Sequence, residues 1–158
     1  MELDATDWKI LRELQRLNLP SEGRLTNVEL ASRVGLSPPP CLRRVQALEK
    51  AGVIAGYRAL LDAAALGFDV TLFVFVGLKS QAEAELNAFT SRVAAWPLVR
   101  EAYAISGEAD FLLKCVARDL PSLQDFIIRD LTAAPNVENV KTTLMLRVAK
   151  YEPGVPIP

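Results

Sequence analysis

The side chains best suited to chemistry lie in one short segment, SPPPCLRRVQALEK, from Ser37 to Lys50. On a helix, at about 100° per residue, Cys41, Val45 and Leu48 gather on one side with Leu42 at its border. Pro39, Arg43, Gln46, Ala47 and Lys50 lie opposite, and Arg44 falls on the flank. The outward face carries two cations and an amide but no acid, because Glu49 falls toward the inner edge. Such a face suits a DNA major groove: Arg pairs with guanine, Gln with adenine, and Lys with phosphate. An ordinary solvated face is the competing interpretation, but solvated faces usually mix signs, and this one does not.

Other chemistries find little support. The chain of 158 residues contains no histidine, which removes His-based metal sites, His triads and the usual general base. No paired-carboxylate or cysteine-nucleophile motif stands out. Cys41 on an inner helix face and Cys115 in a strand both suit packing, and two cysteines make a disulfide scaffold improbable. A cytoplasmic location is therefore expected. The opening MELDATDW lacks a basic-then-apolar signal pattern, and the longest apolar stretch, Val70 to Leu78, is too short to span a bilayer.

Taken alone, the net charge of −1 argues against a polyanionic partner. The average hides a polarity. Residues 1–60 hold nine Lys/Arg against seven Asp/Glu, and residues 61–158 nine against twelve. From Arg24 to Arg58 six basic residues face two acidic ones. The basic charge is local to the segment that could use it.

The elements positioning these residues follow from period and punctuation. In LDATDWKILRELQRL, Ile10, Leu11, Leu14 and Leu17 recur at helical spacing, with Asp4 able to cap the start. NLPSEG breaks that helix. Thr26 and Glu29 then form a capping box, and a short helix runs through Leu30, Ala31 and Val34 to Gly35, where a left-handed residue belongs. Ser37 is placed as the next N-cap. The third helix is expected to begin at Pro40, since each proline pushes its predecessor off the helical region, and to run to about Ala51. Helix, short turn with glycine, helix is the helix-turn-helix pattern.

The second half changes period. A strand at Val70–Leu78, a helix at Gln81–Ala95, strands at Val99–Ile105 and Asp110–Val116, a helix from Asp119 and a strand at Val137–Val148 are predicted. The order β-α-β-β-α-β is the ferredoxin-like split arrangement. Helices can cover only one face of such a sheet. With Leu72, Val74 and Val76 on one face, Phe73 and Phe75 are left on the other, a large apolar patch that monomers rarely expose. A second copy covering it would give a symmetric dimer. The alternative is that the N-terminal helices fold back over it.

At this point the residues resemble a known family. GRLTNVELASRVGLSPPPCLRRVQALEKAGVIAGYRALLDAAALGF closely resembles the leucine-responsive/asparagine-type regulators, also called feast/famine regulators. So do the opening LDATDWKILRELQ, the later SGEADFLLK and the closing KTTLMLRVAKY. The match covers nearly the whole chain, in order. It implies an α+β protein with an N-terminal winged helix-turn-helix domain (residues 1–56), a linker (57–68), a ferredoxin-like βαββαβ effector-binding and oligomerisation domain (69–150), and a tail (151–158). It also implies a transcriptional regulator binding double-stranded DNA as a homodimer, assembling further to an octamer, with an amino acid or related metabolite as effector and no other cofactor.

The resemblance places Ser37, Pro39, Arg43, Arg44, Gln46 and Lys50 in or just before the DNA-reading helix. Arg44, at the flank of the wheel, is assigned to phosphate or to holding the helix in place rather than to a base. Ser106-Gly-Glu-Ala-Asp110 matches the family's effector-binding turn at the contact between dimers. Backbone N–H groups at Gly107, Glu108 and Ala109 could approach a carboxylate, Asp110 could accept from an ammonium, and Thr142 or Thr143 could reach the same pocket. The plainer alternative is a tight hairpin closed by Gly107 and ended by Asp110.

Three features depart from the family pattern. About five extra residues stand between Gln15 and Gly23, an insertion that surface loops tolerate cheaply. Pro38-Pro39-Pro40 is unusually rich in proline, and Ala109 stands where members commonly carry an aromatic. Two other classes remain open: a ligand-sensing or chromosome-associated module that binds DNA without sequence preference, and an enzyme of the haem-pathway decarboxylase kind. The latter resemblance leans on histidines that this chain lacks.

Overall fold

The computed structural model describes residues 2–16 and 25–158, which form two compact units, Met1–Ala59 with Tyr151–Pro158, and Leu60–Lys150. Leu17, the NLPSEG break, Arg24 and most of the insertion lie outside the described residues.

The first unit contains α1 (Ala5–Gln15), α2 (Asn27–Val34) and α3 (Pro38–Lys50). Helix α1 starts where Asp4 accepts from the Thr6 and Asp7 N–H groups, while the Asp7 carboxylate returns a bond to the Asp4 N–H. Helix α2 starts with the expected box: Thr26 accepts from the Glu29 N–H at 3.2 Å, and Glu29 accepts from the Thr26 N–H at 2.7 Å. It ends at Gly35, whose φ of 75° lets the Leu36 N–H turn back onto the Ala31 carbonyl at 2.8 Å. Only Leu36 and Ser37 then separate that glycine from α3. Ile10, Leu30, Ala31, Val34, Cys41 and Leu48 form the core of this unit. Ile10 and Leu48 are wholly buried, each contributing about 1.5–3 kcal/mol by leaving water.

Helix α3 begins at Pro38, two residues earlier than expected. The first turn has no intrahelical acceptors for its N–H groups, and a φ near −65° already suits a helix, so three prolines fit at N1 to N3. The tendency of a proline to push its predecessor out of the helix gives way here to that fit.

In the second unit, β1 (Val70–Leu78), α4 (Glu83–Ala95), β2 (Val99–Ala104), β3 (Phe111–Ala117), α5 (Leu120–Phe126) and β4 (Val137–Leu144) follow the predicted order. The sheet is antiparallel with strand order β2-β3-β1-β4, and α5 continues into a π-helical turn at Ile127–Leu131. β4 stops at Leu144, four residues short of its expected end, with one further bond from the Met145 N–H to the Thr71 carbonyl at 3.0 Å. Leu72, Val74 and Val76 of β1 pair with Cys115, Leu113 and Phe111 of β3, and these six are buried together. Phe89 and Val93 of α4 and Leu123 and Phe126 of α5 belong to the same core. A chain of aromatic edges, Phe111–Phe89–Trp96–Phe126, joins the two helices to the sheet at centroid distances of 4.7, 6.1 and 5.3 Å.

Candidate functional site

The outer face of α3 follows the helical wheel except at Glu49, which was expected toward the inner edge and is exposed. Cys41 and Leu48 are buried and Val45 partly so, whereas Ser37, Pro39, Arg43, Gln46, Ala47 and Lys50 are exposed. No hydrogen bond or ion pair to another described residue holds the Arg43, Gln46 or Lys50 side chain. Glu49 is exposed as well and accepts from the Tyr57 hydroxyl at 2.8 Å, which ties the segment after α3 back to its last turn. The start of α3 is held to that of α2 by Asn27, whose Nδ2 donates to the Pro38 carbonyl at 3.0 Å.

Ser37 occupies the N-cap position in extended conformation, yet its hydroxyl makes no capping bond. The reason is chemical. An N-cap oxygen accepts from the N–H of N2 or N3, and here both are prolines.

Arg44 behaves differently from its neighbours. Its Nη1 donates to Asp4 Oδ2 and to Asp7 Oδ1, both at 2.8 Å, and the pair spans α3 and the start of α1. The hydrogen bonds it donates to Asp7 and then Asp4 raise the Arg44 pKa, and the backbone N–H of Asp7 followed by Arg44 itself lowers that of Asp4. Each of these two shifts favours the ionised form. Asp7 was missed from sequence as a partner of Arg44. The available signal was a second acid three residues after the N-cap Asp4, where a capping box reciprocates.

The turn at residues 106–110 joins β2 to β3, with the Ile105 N–H donating to the Asp110 carbonyl at 2.9 Å. Gly107 sits at φ 126° with open space where a Cβ would be, and Gly107 and Glu108 are exposed while Ala109 is half-buried. The Asp110 carboxylate is turned inward along the sheet. Its Oδ2 accepts from the Leu78 N–H at 2.7 Å and from Gln81 Nε2 at 3.4 Å, and its own N–H donates to the Val76 carbonyl. Gln81 therefore shares this corner, a role its position before α4 gave no signal of. Thr142 is not brought beside it: Thr142 pairs with Val74 on the other side of β1. Two strand spacings, about 10 Å, separate the two strands that carry them.

Among the described residues no group of three or more His, Cys, Asp or Glu could hold a metal ion. None of their helices is long and apolar enough to cross a membrane. Burial pushes the Cys115 thiol up to about 11 and that of Cys41 upward, so both remain protonated and pack as small apolar groups.

Residues 3–55 match a winged helix-turn-helix DNA-binding model, and residues 71–155 match the Lrp/AsnC ligand binding domain. The chain belongs to the Lrp/AsnC family. It is a transcriptional regulator with a DNA-binding head and a ligand-binding domain, not an enzyme. A leucine-responsive regulatory protein of Rhizobium meliloti is 62% identical, over 95% of this chain and 93% of its own length. The Bkd operon transcriptional regulator of Pseudomonas aeruginosa is 37% identical, over 99% of both chains. A transcriptional regulator of Neisseria meningitidis, solved as a complex with L-Met, superposes with a TM-score of 0.89 at 36% identity, covering 98% of this regulator and 97% of that chain.

Proposed function

We propose that this regulator reads a specific DNA sequence as a homodimer assembling to an octamer, and that an amino acid or related metabolite modulates it in the cytoplasm. The observation that carries the reading is the outer face of α3, where Arg43, Gln46 and Lys50 stand exposed and uncommitted on a helix-turn-helix. Arg43 and Gln46 are assigned to base edges and Lys50 to phosphate. Ser37 is assigned to the DNA backbone, its hydroxyl being spared from capping. Pro39 lies against the groove wall, and Arg44 touches phosphate or holds the helix. Residues 1–56 form the head, 57–68 the linker and 69–150 the effector and assembly domain, with 151–158 as tail.

The effector turn comprises Gly107, Glu108, Ala109 and Asp110; Thr142 on β4 lies two strand spacings away, on the other side of β1, and is left out of it. The positive φ and open surroundings of Gly107 support close approach of a ligand carboxylate to the backbone. Since Asp110 already holds the Leu78 N–H, only part of its acceptor capacity is left for an ammonium group. The regulator from Neisseria meningitidis, solved with L-Met, makes methionine the first effector to try.

Fluorescence anisotropy tests the reading directly. Arg43→Ala should cost about 1–3 kcal/mol on a duplex selected by the wild-type protein and relax its preference at one base pair. Unchanged affinity would remove Arg43 from the readout. In parallel, calorimetry of the wild type against methionine, leucine and the other common amino acids should find at least one ligand. A flat result across the set would overturn the sensing role.

A further inference from the structure

Among the described residues Asp7 is the one buried charged residue, with 7% of its surface exposed. A carboxylate in that position must be paired, because removing it from water is costly otherwise. Its partners form a closed set. Asp4 Oδ1 accepts from the Thr6 and Asp7 N–H groups, and Asp7 Oδ2 accepts from the Asp4 N–H. The two remaining oxygens, Asp4 Oδ2 and Asp7 Oδ1, both converge on Arg44 Nη1. The cluster of two carboxylates and one guanidinium carries a net charge of −1, so it offers no attraction to a phosphate. Arg43, one residue away, has no such partner among the described residues and faces out.

We propose that Asp4 and Asp7 are positioning residues for DNA reading. Acting through Arg44, they fix the seat and roll of α3 against α1, so that Arg43, Gln46 and Lys50 face outward together. Arg44 serves that clamp and makes no phosphate contact. The proposal rests on the DNA-reading role of α3 and adds the acids that hold it.

The sign of one substitution separates this from simple electrostatics. Asp7→Asn removes a negative charge, which by itself strengthens binding to a polyanion. Positioning predicts the opposite for a specific site. The experiment uses the full chain, a duplex enriched by the wild type from a random pool, and a scrambled duplex, over about 50 to 200 mM salt. Asp7→Asn should bind the selected duplex about tenfold more weakly, the scale of coupling within one ion-pair network, and the scrambled duplex no more weakly than wild type. Asp4→Ser keeps an N-cap oxygen but loses the ion pair, and should show the same loss even if Asp7→Asn folds poorly. Arg44→Ala should weaken specific binding without changing the salt slope, whereas Lys50→Ala lowers that slope by about one.

Wild-type or tighter binding of the selected duplex by Asp4→Ser, or by a folded Asp7→Asn, would overturn the proposal. A slope reduced by about one in Arg44→Ala would overturn it too, by making Arg44 a phosphate contact. A wild type that enriches no sequence would instead overturn DNA reading itself and the positioning role with it.

Discussion

At the scale of single residues, three prolines change what the neighbouring serine does. A serine before a helix ordinarily accepts from N2 or N3, and its loss costs about 1 kcal/mol. Pro39 and Pro40 have no N–H to give, so Ser37 keeps the position without the bond. Ser37→Ala should therefore leave the urea midpoint unchanged, while Thr26→Ala, which removes a bond actually made to Glu29, should lower stability by about 1 kcal/mol. Equal losses at both positions would mean that the Ser37 hydroxyl finds another partner. If the spared hydroxyl meets DNA, as proposed, Ser37→Ala should reveal itself in binding rather than folding.

At the scale of elements, each of three helices is started by an acid that takes part in its N-terminal cap. Asp4 of α1 is lowered chiefly by the Asp7 N–H, Glu29 of α2 by the Thr26 hydroxyl, and Asp119 of α5 by the Ser122 hydroxyl. Each has a folded pKa below its ordinary value of 3.8 or 4.5. Between the two values the unfolded chain binds more protons, so stability rises with pH there. The contribution is complete above about pH 5 and is lost as acid protonates the caps. The melting temperature should fall between about pH 5 and 3 and stay nearly level from about 6 to 8, where a chain without histidine has few groups to titrate. A marked change near neutrality would point to a titrating group outside these caps.

The C-terminal residues form another element whose partner was not evident beforehand. Gln15 Nε2 donates to the Val155 carbonyl at 2.6 Å, and the Val155 N–H donates to Gln15 Oε1 at 3.1 Å. Arg12 also donates to the Pro158 carbonyl oxygen. The segment after Lys150 thus packs with the head although it follows the last strand of the other unit. A polar side chain on an exposed helix face gives no sign of which distant backbone it will meet.

At the scale of the whole molecule, the sheet face opposite α4 and α5 is what assembly has to answer for. Phe73 pairs with Lys114 and Thr143, and Phe75 with Leu112 and Lys141, so both aromatics share a face with charged neighbours. Lys114 Nζ meets Glu101 at 2.8 Å, and the Tyr103 hydroxyl donates to the other Glu101 oxygen. A half-buried apolar centre with a polar margin is the ordinary anatomy of a protein interface. Phe75→Lys should reduce the mass measured by light scattering to that of one chain while the circular dichroism spectrum stays folded. An unchanged assembly would place the contact between copies elsewhere. An assembly of several copies would present several heads at once, so a net charge of −1 per chain does not preclude tight DNA binding.

Much of this was written into the order of residues, because it depends on local rules. Helical and strand periods, the Thr26–Glu29 box and the left-handed Gly35 are set within a few positions of each other, and so the element order and the exposed face of α3 could be derived directly. Interactions between residues far apart in the chain could not. The pairing of Arg44 with Asp4 and Asp7 joins positions 37 to 40 residues apart, and that of Asp110 with the Leu78 N–H spans 32. Periodicity says which way a side chain points, but not what it meets there. In the folded chain Arg43 and Arg44, adjacent and chemically alike, are separated into an open cation and an engaged one. The helix turns about 100° between them. That rotation is enough to send one toward solvent and the other onto two carboxylates.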